Sequence, residues 1–340
     1  MTAHIDQRLT LDLRVERFPF HKPFRIAGHV FAETAVLVAE LSDGANSGRG
    51  EGAGAYYLGD DVPHMLAEAE RVREAIERGA TRQDLQALLP PGGARNALDC
   101  AYWELEARRA GQPVWALAGL DAPRPLRSTL TLGADTPEAM AAGALAIDPD
   151  APIKVKLTGD LADDIARLDA IRAARPDAWI GVDANQGYRI ETLPDLLPVL
   201  LAHRIALLEQ PLARGREADL DGFDRPLPFA ADESALSLAD TAGLVGRFDV
   251  VNIKLDKCGG LTEGLAIARE ARALGLEVMV GNMMGSSLSM APAYLVGQLC
   301  DIVDLDGPTF LAADRTPGVT YRDGKVHCGA DIWGDARKSS

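Results

Sequence analysis

The chain has 340 residues, of which 47% are hydrophobic and 25% are charged, a composition typical of a folded globular protein. Its 35 basic and 50 acidic residues give a formal net charge of -15, and so acidic a protein repels nucleic-acid phosphates and anionic lipids. No apolar run approaches the roughly 20 residues of a membrane span, and the N-terminus lacks the layout of a signal peptide. We therefore predict a cytoplasmic protein with neither nucleic-acid nor membrane partners.

The first third of the chain predicts an α+β unit. The alternating segment "LTLDLRVERF" (Leu9–Phe18) predicts a strand, and "TAVLVAELSDGANSGRGEGA" predicts two strands joined by a polar turn. Helices are predicted over Val62–Gly79 and over Gly92–Pro113, where Gly111 is placed to end the helix. The glycines of "GRGEGAG" (Gly48–Gly54) stand at every second position, which favours a glycine-rich strand edge over a dinucleotide-binding loop.

From about Leu126 onward, short apolar segments occur with alanine-rich helical segments between most of them. Eight strand candidates occur: LRSTLTLG, APIKVKL, AWIGVDA, IALLEQ, LPFAADE, DVVNIKL, LEVMVGN and CDIVDLD. Such alternation predicts parallel strands joined by crossover helices, and eight units favour a TIM-type barrel over a six-stranded open sheet. The final stretch, "PGVTYRDGKVHCGADIWG", predicts a short hairpin that returns to the N-terminal unit.

Charged residues recur at the ends of the barrel-strand candidates, about one strand, loop and helix apart. Because active sites of such barrels lie at the C-terminal ends of the strands, these side chains are expected to surround a single mouth. In chain order they are Lys156, Asp183, Glu209, Asp232, Lys254, Asp304 and Asp306.

Three of these residues, Asp183, Glu209 and Asp232, come from consecutive strands and predict a metal site. A site made only of carboxylate oxygens suits Mg²⁺, or Mn²⁺, with the remaining positions left to waters and substrate oxygens. No histidine or cysteine stands near them, which argues against zinc. A divalent ion would also offset the repulsion between three like charges.

Lysines flank this trio on both sides. Lys154 and Lys156 alternate with apolar residues in "PIKVKLTG" and so share one face of a strand, directed into the protein, while Lys254 follows the trio. A neighbouring ammonium group and a metal charge would both lower a lysine pKa toward the range of a useful base. One lysine could then remove the α-proton of a metal-held carboxylate and the other return it from the opposite face, which inverts the configuration.

At this point the chain resembles a known family, the enolase superfamily, in its muconate-lactonizing subgroup. The resemblance covers essentially the whole chain and rests on motifs that are specific in combination. They are K-x-K (Lys154, Lys156), D-A-N-Q (Asp183–Gln186), E-Q-P (Glu209–Pro211), A-D-E-S (Ala231–Ser234) and N-I-K-x-D (Asn252–Asp256).

The resemblance implies an α/β fold, a (β/α)7β modified TIM barrel with an N-terminal α+β capping domain. We place the capping domain at residues 1–122, completed by 312–340, and the barrel that carries the catalytic residues at 123–311. The resemblance also implies that Lys156 and Lys254 are the acid/base pair. Lys154 would support Lys156 and the bound carboxylate, and Asp256 would take part in substrate binding.

The D-x-D pair at the eighth strand, Asp304 and Asp306, is similar to that of the dipeptide epimerases. In that group such a pair holds the free α-ammonium of a dipeptide whose C-terminal residue is epimerised. Epimerases acting on Ala-Glu carry an arginine a little after a "KPF" segment. Here Arg25 directly follows Phe24, about three positions from that place, so both Ala-Glu and hydrophobic or other dipeptides stay open.

The function predicted from the sequence is a Mg²⁺-dependent dipeptide epimerase that works through an enolate, expected as a homo-oligomer. Alternatives within the subgroup are an N-acylamino acid racemase, an o-succinylbenzoate synthase or a cycloisomerase, whose substrates lack the free ammonium that would explain Asp304 and Asp306. A non-catalytic small-molecule binding protein is the alternative from another class.

Overall fold

The structure is a computed structural model that describes residues 8–26 and 29–336. For residues 25, 26 and 29 it describes the backbone only. The chain forms a three-stranded antiparallel sheet with helices, and then an eight-stranded parallel sheet with helices around it. Within the described residues, none of the helices has both the length and the apolarity needed to cross a membrane.

The N-terminal sheet has the strand order β1-β2-β3, and four helices follow it in the chain. The strand predicted over Leu9–Phe18 and both predicted helices are confirmed, although the first strand continues further than expected. Asp61 caps the first helix by accepting from the backbone N–H of His64. The elements are β1 (Thr10–Ile26), β2 (His29–Ser42), β3 (Ser47–Gly52), α1 (Val62–Glu77), α2 (Arg82–Leu88), α3 (Gly93–Ala110) and α4 (Val114–Leu117).

The alternate glycines of β3 allow a helix to lie directly on this strand. β3 is an edge strand of the sheet, as predicted, and its glycines face the backbone of α3. A Cβ atom at Gly48, Gly50 or Gly52 would collide with a carbonyl oxygen of that helix. The spacing that excludes a dinucleotide loop therefore serves close packing between strand and helix.

The barrel follows the predicted alternation of strands and helices. Eight parallel strands, β5 to β12, are hydrogen-bonded in sequence order, and a bond from Thr129 N to Val303 O (2.9 Å) links the two ends of the sheet. The strands, with the short β4 before them, are β4 (Leu126–Arg127), β5 (Leu130–Leu132), β6 (Ile153–Lys156), β7 (Ile180–Asp183), β8 (Leu207–Glu209), β9 (Phe229–Ala231), β10 (Val250–Ile253), β11 (Glu277–Val280) and β12 (Ile302–Val303).

Two of the crossovers differ from the simple alternation. Only a 3-10 turn (Glu217–Leu220) lies between β8 and β9, and β9 is joined to β10 by the single-turn α8 and a second 3-10 turn (Ala242–Leu244). The remaining crossovers carry longer helices. The helices are α5 (Pro137–Ala146), α6 (Leu161–Ala174), α7 (Leu193–Ala202), α8 (Leu238–Thr241), α9 (Leu255–Cys258), α10 (Leu261–Ala273) and α11 (Ser287–Gly297).

The predicted C-terminal hairpin forms from β13 (Thr320–Arg322) and β14 (Lys325–His327). It pairs with β4, so the segment predicted as one strand, "LRSTLTLG", is divided between this small sheet and the barrel. Beyond the hairpin the chain returns to the N-terminal unit, because Trp333 Nε1 donates to Arg49 O (2.8 Å). The domain bounds 1–122 and 123–311 stay a prediction.

We expect the substitution Gly50→Ala to lower the free energy of unfolding by about 1–3 kcal/mol, since the added methyl group has no room between β3 and α3. Urea titration followed by circular dichroism measures this. Gly243→Ala is the control, because nothing lies within 4 Å of its Cβ position. Equal stability of the two variants would contradict the close-packing role of the glycine.

Candidate active site

Strand β6 places two lysines inside the barrel mouth, as the sequence predicts. Ile153 and Val155 are buried in the main hydrophobic core, whereas Lys154 and Lys156 alternate with them and therefore point the other way. Both lysines are nonetheless largely buried, with only 4% and 9% of their surface exposed. Lys156 pairs in register with Asp183 on β7, so the two charged residues lie at the same height.

The three predicted metal ligands meet at one point. Asp183 ends β7, Glu209 ends β8 in register with it, and Asp232 directly follows β9. All three are buried, and one carboxylate oxygen from each lies within 4.8 Å of the others. Such a donor set, three carboxylate oxygens without nitrogen or sulfur, fits a hard divalent cation such as Mg²⁺.

Lysine ammonium groups surround the three carboxylates. Lys154 Nζ lies 2.7 Å from Glu209 Oε2 and 3.2 Å from Asp183 Oδ2. Lys156 Nζ donates to Asp183 Oδ2 (2.6 Å), and Lys254 Nζ donates to Asp232 Oδ2 (2.7 Å). The two predicted base residues therefore contact different members of the trio, one from β6 and the other from the end of β10.

Among the protein's own charges, without a metal ion, the pKa values of Lys154 and Lys254 move upward. Burial lowers the pKa of Lys154, but the charges of Asp304 and Glu209 outweigh it and hold this pKa well above its ordinary value. Burial likewise lowers the pKa of Lys254, and the charge of Asp232 more than compensates. At both lysines the charges of the surrounding carboxylates outweigh those of the neighbouring ammonium groups.

The pKa values of the carboxylates in the trio shift in opposite directions. Burial would raise the pKa of Asp183, but the charges of Lys156 and Lys154 lower it to about 2. Burial and then the negative charge of Asp183 raise the pKa of Glu209 to about 7. A divalent cation would remove this conflict, since it stabilises the ionised form of every ligand at once.

Asp304 and Asp306 follow β12, and together with the three lysines Lys154, Lys156 and Lys254 they line one cavity. Asp304 Oδ2 accepts from Lys154 Nζ (2.8 Å), and Asp306 Oδ2 accepts from the backbone N–H of Thr131 (2.6 Å). Burial and the neighbouring Asp304 charge raise the pKa of Asp306 to about 7. A cationic group placed between them would relieve this repulsion.

Asp256, which the sequence analysis expects to bind substrate, instead accepts hydrogen bonds from the N-terminal unit. Its Oδ1 accepts from the backbone N–H groups of Ala53 (2.8 Å) and Gly54 (3.2 Å) and from the side chain of Asn96 (3.0 Å). These donors belong to the N-terminal unit, so Asp256 ties the barrel to that unit and takes no place in the cavity wall. The side chain of Arg25, the other predicted substrate-binding residue, lies outside the described part of the structure.

A cavity of about 320 Å³ lies over the lysines and carboxylates. Its floor comes from the barrel, and its opposite wall comes from β1 and β2, with the aromatic residues Phe20, Phe24 and Phe31 and the ion pair of Arg17 and Glu33. The ring of Phe24 packs edge-on against Phe310, with centroids 4.8 Å apart. The segment Gly281–Met290 after β11 is rich in methionine, and two of its methionines, Met283 and Met284, line the cavity. Met290 in the same segment is a core residue.

Two residues to which the sequence analysis gave no role, Lys257 and Asn252, contact the predicted metal ligands. Lys257 is fully buried and donates to Asp232 Oδ1 (2.6 Å), Asp232 O (2.5 Å) and Asn252 O (3.0 Å). Asn252 in turn donates from Nδ2 to Glu209 Oε1 (2.8 Å). Both residues lie close to Lys254 in the chain. A second lysine three residues after Lys254 was the sequence signal that could have indicated a role for Lys257.

Comparison with known proteins places this geometry in a family. Residues 9–119 match the mandelate racemase / muconate lactonizing enzyme N-terminal domain, and residues 141–328 match the enolase C-terminal domain-like family. The L-Ala-D/L-Glu epimerase of Escherichia coli (strain K12) is 40% identical over 320 residues, which are 94% of this chain and 99% of that protein.

Two further comparisons cover most of the chain. The N-acetyl-D-glutamate racemase of a Pseudoalteromonas species is 42% identical over 252 residues, 74% of this chain and 79% of that protein. Among solved structures, an enolase family member from Agrobacterium tumefaciens with homology to dipeptide epimerases, with bound sodium and L-Ala-L-Glu, superposes with a TM-score of 0.91. It is 40% identical, and the match covers 96% of this chain and 100% of that one. The chain belongs to the enolase superfamily and carries both domains of the mandelate racemase and muconate lactonizing enzyme type.

Proposed function

We propose that this protein is a Mg²⁺-dependent dipeptide epimerase that inverts the α-carbon of the C-terminal residue of a dipeptide. The observation that carries the proposal is the pair of lysines on either side of the carboxylate trio. Lys156 and Lys254 come from the strands that flank the three ligand-bearing strands, and each contacts a different ligand. A substrate carboxylate held at the centre of the trio therefore has an ammonium or amine group on each side.

In this proposal the chain's own residues move one proton. Lys156 or Lys254, in its neutral form, removes the α-proton from one face, and the other lysine, in its protonated form, delivers a proton to the opposite face. Lys154 stays in place as a fixed cation beside the negative charge that develops on the substrate. The Mg²⁺ ion, when bound, supplies further stabilisation of that charge and lowers the lysine pKa values.

The substrate class follows from the acidic pair and from the relatives. Asp304 and Asp306 suit a free α-ammonium, the group that distinguishes a dipeptide from an N-acylated amino acid. Two similar relatives are named as an L-Ala-D/L-Glu epimerase and an N-acetyl-D-glutamate racemase, and both substrates contain a glutamate. We propose Ala-Glu or a similar dipeptide as the substrate, with N-acylamino acid racemisation as the second candidate because of the 42% identical racemase.

Manganese in place of magnesium also suits the carboxylate trio and forms part of this proposal. A cytoplasmic location, a homo-oligomeric state and the lack of nucleic-acid or membrane partners stay predictions from the sequence.

Incubation with Mg²⁺ and a dipeptide panel in D₂O is expected to place deuterium at the α-carbon of the C-terminal residue, as detected by mass spectrometry. Lys156→Ala and Lys254→Ala should each reduce epimerisation to background, because each removes the proton donor or acceptor on one face. Full epimerisation by either variant would rule out the two-base scheme, and a wild-type protein without deuterium uptake would rule out the enolate.

The acidic pair is tested with Ala-Glu against N-acetylglutamate. Asp306→Asn is expected to lower kcat/KM for the dipeptide by about tenfold or more, the effect of a lost charged hydrogen bond, and to change the N-acetyl substrate much less. Asp304→Asn should lower dipeptide turnover more strongly than N-acetyl turnover, but should slow both, since Asp304 also contacts Lys154. Equal losses on the two substrates in Asp306→Asn would remove the ammonium-binding role.

Removal of the metal is expected to abolish epimerisation, and added Mg²⁺ to restore it. Titration calorimetry should show Mg²⁺ binding that Glu209→Gln weakens about tenfold or more, because a charged ligand becomes neutral. Asp249→Asn, which changes a carboxylate directly before β10 at the other end of the barrel, is the control and should leave the Mg²⁺ affinity unchanged. Unaltered affinity in Glu209→Gln would argue against the trio as the metal site.

A further inference from the structure

A further buried carboxylate, that of Asp164, lies close to the loops that follow β6 and β7 and does not line the cavity. Asp164, in the first turns of α6, has no exposed surface. It accepts from the backbone N–H of Thr158 (3.0 Å), from Thr158 Oγ1 (2.9 Å) and from the backbone N–H of Gly159 (3.1 Å). The hydroxyl of Tyr188 also donates to it (2.7 Å). Arg167 Nη1 lies 3.0 Å away and balances its charge.

These contacts join the two loops that follow the catalytic strands β6 and β7. Thr158 and Gly159 come two and three residues after Lys156, and Tyr188 comes five residues after Asp183. The loops also touch directly, since Gly159 has a positive φ of 84° and a Cβ there would collide with Gly187 O. Asp164 therefore fixes the chain immediately beyond Lys156 against the loop of the carboxylate that Lys156 contacts.

Lys254, the other predicted base, is held by contacts that do not involve Asp164. Lys254 precedes α9, and its Nζ contacts Asp232, which Lys257 of the same helix also holds. Every contact of Asp164 described above lies on the side of β6 and β7. A change at Asp164 is therefore expected to disturb one lysine and to leave the other in place.

We propose that Asp164, together with Tyr188, is a positioning residue for Lys156 and so controls proton transfer on one face of the substrate only. This inference rests on the proposed epimerase function. Because a reacting group displaced by as little as 1 Å can lose about a hundredfold in rate, loosening the loop after β6 slows the step that Lys156 performs. Proton transfer by Lys254 proceeds as before.

Exchange of the α-proton with D₂O, measured separately from each of the two epimers, tests the proposal with Mg²⁺ and the dipeptide. Lys156→Ala identifies the epimer whose exchange depends on Lys156. Tyr188→Phe is expected to slow exchange of that epimer about fivefold, the effect of one lost hydrogen bond, and Asp164→Asn to slow it by more than tenfold. The other epimer should exchange within twofold of the wild-type rate.

The control is Tyr102→Phe, which removes a buried hydroxyl whose hydrogen bond to Ala80 O (2.6 Å) lies in the N-terminal unit. It should alter neither exchange rate. Equal slowing of both epimers, or no slowing of either, in Tyr188→Phe would overturn the proposal even if Asp164→Asn fails to fold. A wild-type protein that exchanges neither epimer would instead refute the proposed function, so the two failures are distinguishable.

Discussion

Repulsion between three buried carboxylates is the constraint on which the active site depends. At an effective dielectric constant near 20, two like charges 4 Å apart cost about 4 kcal/mol, and Asp183, Glu209 and Asp232 approach one another within 4.8 Å. Ammonium groups from the neighbouring strands and from α9 offset this repulsion. They belong to Lys154, Lys156, Lys254 and Lys257. Of these, Lys154, Lys156 and Lys254 also line the cavity, where the proposed mechanism uses them to bind substrate and to move protons.

The barrel and the N-terminal unit are held together by buried polar contacts as well as by packing. Asp256 of the barrel accepts from the N-terminal unit, and Asp99 of α3 accepts in return from Thr262 N (2.9 Å) at the start of α10. Glu51 of β3 accepts from Ser286 N (2.7 Å) after β11. The wall that the N-terminal unit contributes to the cavity is thereby kept in place above the charged floor, and the cavity has a defined shape.

Much of the site could be predicted from the sequence because strand geometry is periodic. Alternation within "PIKVKLTG" and the recurrence of charged residues at strand ends sufficed to place Lys154, Lys156 and the carboxylate trio. The role of Asp256 could not be read in this way, because its hydrogen-bond donors are backbone groups about two hundred residues away in the chain, at Ala53 and Gly54. Local patterns carry no record of such distant partners.

The upward shift that the protein's own charges give the pKa values of Lys154 and Lys254 could not be predicted from the sequence for a related reason. Sequence order shows that Lys154 and Lys156 are neighbours, but the balance depends on which charges are nearest in space, and those are carboxylates from other strands. The short crossovers around β9 show no helical pattern in the sequence because a 3-10 turn such as Glu217–Leu220 has too few residues to show helical periodicity.

The origin of the cavity wall has a consequence for how this protein can change. In the proposed mechanism, proton transfer depends on residues of β6 to β10, whereas the aromatic residues Phe20, Phe24 and Phe31 of the cavity wall belong to a hairpin of another sheet. Mutations in that hairpin can alter which side chain is accepted while the reaction itself is inherited intact. New substrate preferences can thus evolve, or be engineered, one segment at a time.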